Sequence, residues 1–208
     1  ESRQHSIFVS RSFFGVLYVD EFEAGTRDHD RTFYHGRIQH GMQQMHHSRQ
    51  HLATSYYGTG SGVWAAIENH PQRFAEDSAT RGIRIGAVGL GVATISVMGT
   101  AQDSLRYYEI NPQVRTIAET YFTYLSNGQA DTEFVIGDAR ISMQKELDAK
   151  GSNTFDVLVL DAFSGDSVPV HLLTAEAFEL YAQHLSDSGV LAVHVSNQYL
   201  DLARVVRG

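Results

Sequence analysis

The chain has 208 residues, 42% of them apolar and none of them cysteine. That is room for one substantial α/β domain with a small appendage, and it excludes disulfides, thiolate metal sites and a cysteine nucleophile. Its 24 acidic against 16 basic side chains give a formal charge of −8, which argues against a nucleic-acid backbone as partner and favours cationic or neutral small molecules. No window approaches the run of about 20 apolar residues that spans a bilayer, and the amino terminus lacks a signal-peptide pattern. The piece is therefore expected to be soluble and, since it begins at Glu1 and stops at Gly208, to be an excised fragment.

In chain order, the first third reads as β structure. From Ile7 to Val19 and from Arg31 to Gln43, short runs rich in Phe, Tyr and Val are separated by segments such as EAGTRDHD, the pattern of a small antiparallel unit spanning residues 1–58. Ser61 to His70 reads as a helix at the start of a second unit, residues 59–208. There, strands are expected at Arg84–Val88, Leu105–Ile110, Glu133–Ile136, Val157–Leu160 and Val190–Val195. Helices are expected at Pro112–Tyr124, Ala139–Leu147 and Ala175–Leu185, with Asn111 and Thr174 available as caps. This alternation predicts an α/β fold with a mostly parallel, Rossmann-like sheet. Phe13, Phe14, Tyr121, Phe122 and Tyr124 are expected in the core.

The most informative stretch is IRIGAVGLGVATISV, Ile83 to Val97. An apolar strand breaks into a glycine turn that opens a helix, and Glu109 ends the next strand. Glycines at 86, 89 and 91 remove side chains that would hold a ligand off the backbone, and Glu109 can accept hydrogen bonds from both ribose hydroxyls of an adenosine. Asp138, in FVIGDAR, follows the third strand of this unit and is placed to accept from an adenine amine, with Ala139 leaving space for the ring. Asp161, in VLVLDAFSGDSVP, follows the fourth, where the reacting end of the ligand should lie. Glycine turns also serve packing, and strand-end aspartates also cap helices; three acids at successive strand ends point to a site.

GLG with Glu109, GDA with Asp138, LDAF with Asp161, and the preceding HGRIQHGMQ resemble the spermidine synthase family, whose members transfer aminopropyl groups. The resemblance runs over nearly the whole chain. It is closest to the spermidine synthase-like domains fused to membrane transporter segments, which show strings similar to RSFFGVL, YYG, DAFSGDSVPVHLLT and HVSN. It implies a class I methyltransferase-type Rossmann-like domain behind an N-terminal β unit, with the last strands of the fold and a further substrate tyrosine beyond Gly208. It also implies a homodimer and a cytoplasmic or cytoplasm-facing location, with no nucleic-acid partner and no membrane insertion of this piece.

Carried over by position, the resemblance makes Gly89, Gly91, Glu109, Asp138 and Ala139 the nucleoside site. It sets Gln43, in HGMQ, against the aminopropyl end of the nucleoside and makes Asp161 the acid that orients and deprotonates the attacking amine. Tyr57 falls near the family's substrate tyrosine, as does Tyr56, although SYYG departs from the usual sequence there. Leu90 replaces an aspartate that grips the nucleoside's amine. Ser164 stands where the family has a second acid, with Asp166 shortly after, and His171 is expected to line the cleft opposite Asp161.

The implied reaction moves the aminopropyl group of decarboxylated S-adenosylmethionine to an amine such as putrescine and releases methylthioadenosine. An alkylamine has a pKa of about 10.4, so a carboxylate must accept or steer its proton at neutral pH. Two other readings fit the same crevice: a methyltransferase using S-adenosylmethionine itself, and a nucleoside-binding domain without turnover attached to a membrane protein. The histidines at 35, 40, 46, 47 and 51 lack a cysteine or an HExxH arrangement and read as a solvated or substrate-gating surface; no metal is expected.

Overall fold

The computed structural model describes residues 5–162 and 169–194. The first four strands, β1 (Ser6–Ser12), β2 (Gly15–Phe22), β3 (Asp30–His35) and β4 (Ile38–Gln44), form an antiparallel meander in that order. Alternation divides its faces. Leu17, Val19 and Phe33 are fully buried on one side, whereas Tyr18 and Tyr34, directly paired across β2 and β3, stack on the other at 4.9 Å.

The second sheet holds β5 (Arg84–Val88), β6 (Ser104–Glu109), β7 (Asp131–Ile136), β8 (Phe155–Leu160) and β9 (Leu185–Val193), in the order β7-β6-β5-β8-β9. All of its pairings are parallel. The order reverses between β5 and β8, so the chain leaves these neighbours in opposite directions and opens a crevice at their carboxyl ends, where such sheets bind ligands. β8, an interior strand, is buried at every residue, as expected of a strand covered on both faces.

The helices are α1 (Gly62–Glu68), α2 (Pro112–Tyr121), α3 (Tyr124–Asn127), α4 (Ala139–Lys150) and α5 (Ala175–His184). The expected caps hold. Asn111 accepts from the Gln113 amide at the start of α2, and Thr174 from the Ala177 amide at the start of α5. Among the described residues no helix is long and apolar enough to cross a membrane.

Three expectations need correction. The glycine turn does not open an α-helix: a 3-10 turn, Thr94–Met98, follows it. Ala93 is left-handed there at φ 66°, and β-branched Thr94, Ile95 and Val97 disfavour a longer helix. The helix expected over Pro112–Tyr124 breaks at Phe122 and Thr123, where the Thr123 amide donates to Gln43 Oε1 at 2.8 Å and so leaves the helical ladder. Phe13 and Phe14 are not core: both sit at the tip of the β1–β2 hairpin, 98% and 36% exposed, with their rings edge-on at 5.5 Å.

Candidate active site

The crevice at the ends of β5, β6, β7 and β8 is a cavity of about 220 Å³. Gly89, Gly91, Glu109, Asp138, Ala139, Asp161 and His171 all line it, so residues from across the second unit meet in one place. The N-terminal sheet closes the opposite side with Phe14, Phe33, His35 and His40.

The glycines work first as contact points between backbones. At Gly89, with φ +97°, a Cβ would stand 2.2 Å from the Asp161 carbonyl oxygen; at Gly91, with φ +53°, it would stand 2.6 Å from that of His40. Facing Gly91 from β4, Gly41 has φ +146° and would place a Cβ 2.4 Å from Val92 Cγ2. Glycine is the residue that permits both the positive φ and the close approach. The turn is thereby pressed between β4 and the end of β8. Gly86 has a different job, since a Cβ there would run into Leu158 and Phe155. Gly89→Ala is expected to push Asp161 out of place and to cost about 2 kcal/mol or more of stability, a loss that chemical denaturation would register. Wild-type stability in that variant would remove the contact.

Glu109 is 8% exposed and its carboxylate holds the loops together: Oε2 accepts from the Leu90 amide at 3.0 Å and Oε1 from the Asn111 amide at 2.8 Å. Burial raises its pKa above the ordinary range, opposed by those amide donors. Each oxygen retains a lone pair for a ligand hydroxyl. Leu90 is itself buried and meets Glu109 through its backbone.

Asp138 caps α4, accepting from the Ile141 amide at 2.9 Å, and its other oxygen meets His171 Nε2 at 2.8 Å. His171, which lines the cleft as expected, pairs with Asp138, and Arg140 fixes it by donating to its carbonyl at 2.9 Å.

Asp161 is the centre of a four-residue cluster. Its Oδ2 accepts from the hydroxyls of Tyr56, at 2.9 Å, and of Tyr57. Its Oδ1 lies 2.9 Å from Nδ1 of His194, whose ring meets the Tyr56 ring edge-on at 4.3 Å. Burial and the Asp161 charge push both phenols upward in pKa, so they stay protonated donors. Nearby, burial and then the charge of His35 pull His40 down to about 4, leaving a neutral imidazole at pH 7.

Gln43 does not reach the cavity. It is fully buried, donates to the Gln50 carbonyl at 2.7 Å and Thr123 Oγ1 at 2.8 Å, and accepts from the Thr123 amide. With every polar atom engaged, it ties β4 to the α2–α3 junction. Ser164, Asp166 and Val195 lie outside the described residues. Sequence reasoning passed over His194. Its signal was positional, a histidine at the end of β9 beside a strand that ends in aspartate: the His194 amide donates to the Leu160 carbonyl at 2.9 Å.

No protein-family model matches the chain. Over 114 residues, 53% of this chain, it is 36% identical to the polyamine aminopropyltransferase of Vibrio vulnificus (strain CMCP6). The spermidine synthase of Thermotoga maritima has a TM-score of 0.65 at 16% identity, over 98% of this chain and 63% of that one. The chain is thus similar to an aminopropyltransferase in sequence over about half its length, and to spermidine synthases in fold. The spermidine synthase-like match spans only 37% of the length of the Vibrio protein. The same α/β fold extends to the methyltransferases: human methyltransferase-like protein 13, solved in complex with SAH, gives a TM-score of 0.55 at 17% identity, over 70% of this chain and 67% of that one.

Proposed function

We propose that this chain transfers the aminopropyl group of decarboxylated S-adenosylmethionine to a small amine, putrescine being the simplest, and releases methylthioadenosine. The observation that carries this reading is the meeting of Glu109, Asp138 and Asp161 in one cavity roofed by the N-terminal sheet. Glu109 takes the ribose, the side of Asp138 takes the adenine, and the cluster around Asp161 stands at the reacting end. Similarity to the Vibrio aminopropyltransferase supports it.

The ligand's sulfonium makes its adjacent propyl carbon open to in-line attack by a neutral amine. The C–S electrons leave with sulfur as a thioether, so no charge has to be created on the leaving group. What the protein must supply is orientation and a destination for the amine's proton. The acidic cavity also favours a cationic nucleoside and a cationic amine over anions.

A methyltransferase reading has its own observation in Leu90, which leaves the glycine turn without a side-chain anchor for the ligand's amine. Mass spectrometry of products from each sulfonium, with and without putrescine, separates the two. Methylthioadenosine with spermidine is expected. S-adenosylhomocysteine would establish methyl transfer, and nucleoside binding without product would make this a binding domain.

A further inference from the structure

We infer that His171 sets the base specificity of the cavity: by donating to Asp138 it holds that carboxylate as an acceptor edge for the exocyclic amine of adenine, and so rejects a 6-oxo purine. The inference rests on the nucleoside reading above and deepens it. His171 is a positioning residue, acting on the base through Asp138.

The contact has one direction. An ionised carboxylate can only accept, so the His171 Nε2 that meets Asp138 Oδ2 at 2.8 Å carries the hydrogen. The other oxygen, Oδ1, accepts from the Ile141 amide at 2.9 Å. Two donors therefore fix the plane of the carboxylate, one at each oxygen, and each oxygen keeps a lone pair for a ligand. Both Asp138 and His171 line the cavity. The edge that Asp138 presents there can accept but not donate. Adenine offers it an N–H; hypoxanthine puts a carbonyl oxygen in the same place, acceptor against acceptor.

The surrounding structure keeps His171 in this place. It sits in a 3-10 turn, Val170–Leu172, anchored by buried Leu172, whose carbonyl accepts from the hydroxyl of buried Tyr181 at 3.1 Å. Arg140, in the first turn of α4, donates to the His171 carbonyl at 2.9 Å and to Oγ1 of Thr174, the cap of α5, at 3.3 Å. The start of α4 thus grips His171 twice, by its side chain through Asp138 and by its backbone through Arg140. The Asp138 side chain is 20% exposed, shielded enough for a mismatched base to be costly. A bare cap would not do the same. Held by the Ile141 amide alone, the carboxylate could turn about that one bond, leave the adenine amine and follow the N1–H of hypoxanthine.

The test measures, by calorimetry, the Kd of methylthioadenosine and of methylthioinosine for wild type, His171→Ala and His171→Gln. Wild type should favour the adenine nucleoside by about 100-fold, the order expected when a shielded acceptor loses its donor. His171→Ala should cut that preference by about tenfold, losing affinity for methylthioadenosine and gaining it for methylthioinosine. His171→Gln, whose amide can donate to Oδ2, should restore most of the preference. General damage to the fold weakens both nucleosides together and leaves their ratio alone, so the ratio reads the positioning role. A preference that survives His171→Ala, or a glutamine variant no better than alanine, would overturn the role of His171 while nucleoside binding stands. Equal Kd values in wild type would take Asp138 off the base and the inference with it. Wild type that binds neither nucleoside would remove the nucleoside reading itself.

Discussion

Asp161→Asn is expected to lower kcat by about 10²- to 10⁴-fold, the span attributed to a positioned proton-transfer group, while nucleoside affinity changes little. The replacement keeps size but exchanges one acceptor oxygen for an NH₂. In the native cluster Oδ2 takes two phenolic hydrogens and Oδ1 meets an imidazole. Whichever way the amide turns, it presents a donor either to hydroxyls that need an acceptor or to His194. In either orientation the side chain can no longer take a proton from the amine. Glu109 and Asp138, which hold the nucleoside in this reading, sit on other strands and are untouched. Steady-state kinetics paired with calorimetric binding would decide it: a large rise in nucleoside Kd with kcat preserved would move Asp161 from the reaction to ligand binding.

Glu109→Ala should have the reverse signature, a nucleoside Kd weakened by about 10- to 100-fold, or roughly 1 to 3 kcal/mol. Two losses combine. The ligand hydroxyls lose a charged acceptor, and the amides of Leu90 and Asn111 lose the oxygens they donate to at 3.0 and 2.8 Å. Glu109→Gln separates these, because it retains the shape and one acceptor. The pH dependence has a definite sign. Burial raises the Glu109 pKa, so on acidification it protonates before an ordinary glutamate would, and the protonated group is the poorer acceptor. Nucleoside affinity should therefore fall with falling pH from a point above the usual glutamate range, and Glu109→Gln should lack that dependence. An unchanged Kd in the alanine variant would take Glu109 out of the site.

Much of this site was legible in the sequence, and the reason is local. Arg84–Val88 and the apolar run ending at Leu160 declare themselves as buried parallel strands, and the rule that such sheets bind ligands at strand ends then nominates Glu109, Asp138 and Asp161. Asn111 and Thr174 were readable as caps because capping depends on the next few residues. What was not legible depends on distant pairings. Tyr56 and Asp161 are separated by 105 positions, and nothing in SYYG says that both phenols turn to one carboxylate. Gln43 looks like a ligand contact in its motif, yet its carboxamide finds Thr123 80 positions away. Phe13 is as apolar as any core residue, but a hairpin tip has no layer above it.

The interlock of Gly41 with Val92 and of Gly91 with the His40 carbonyl bears on how separable the two sheets are. Although the strands of the first sheet pair only with one another, the mechanical boundary does not follow the hydrogen-bond boundary. The glycine turn is a bearing surface between them, so the small sheet cannot swing aside like a hinged cover without uncovering Val92 and freeing the turn that Glu109 grips. Removing the first unit would strip that turn of its roof. The two sheets are better regarded as halves of one mould than as a catalytic module carrying a detachable accessory.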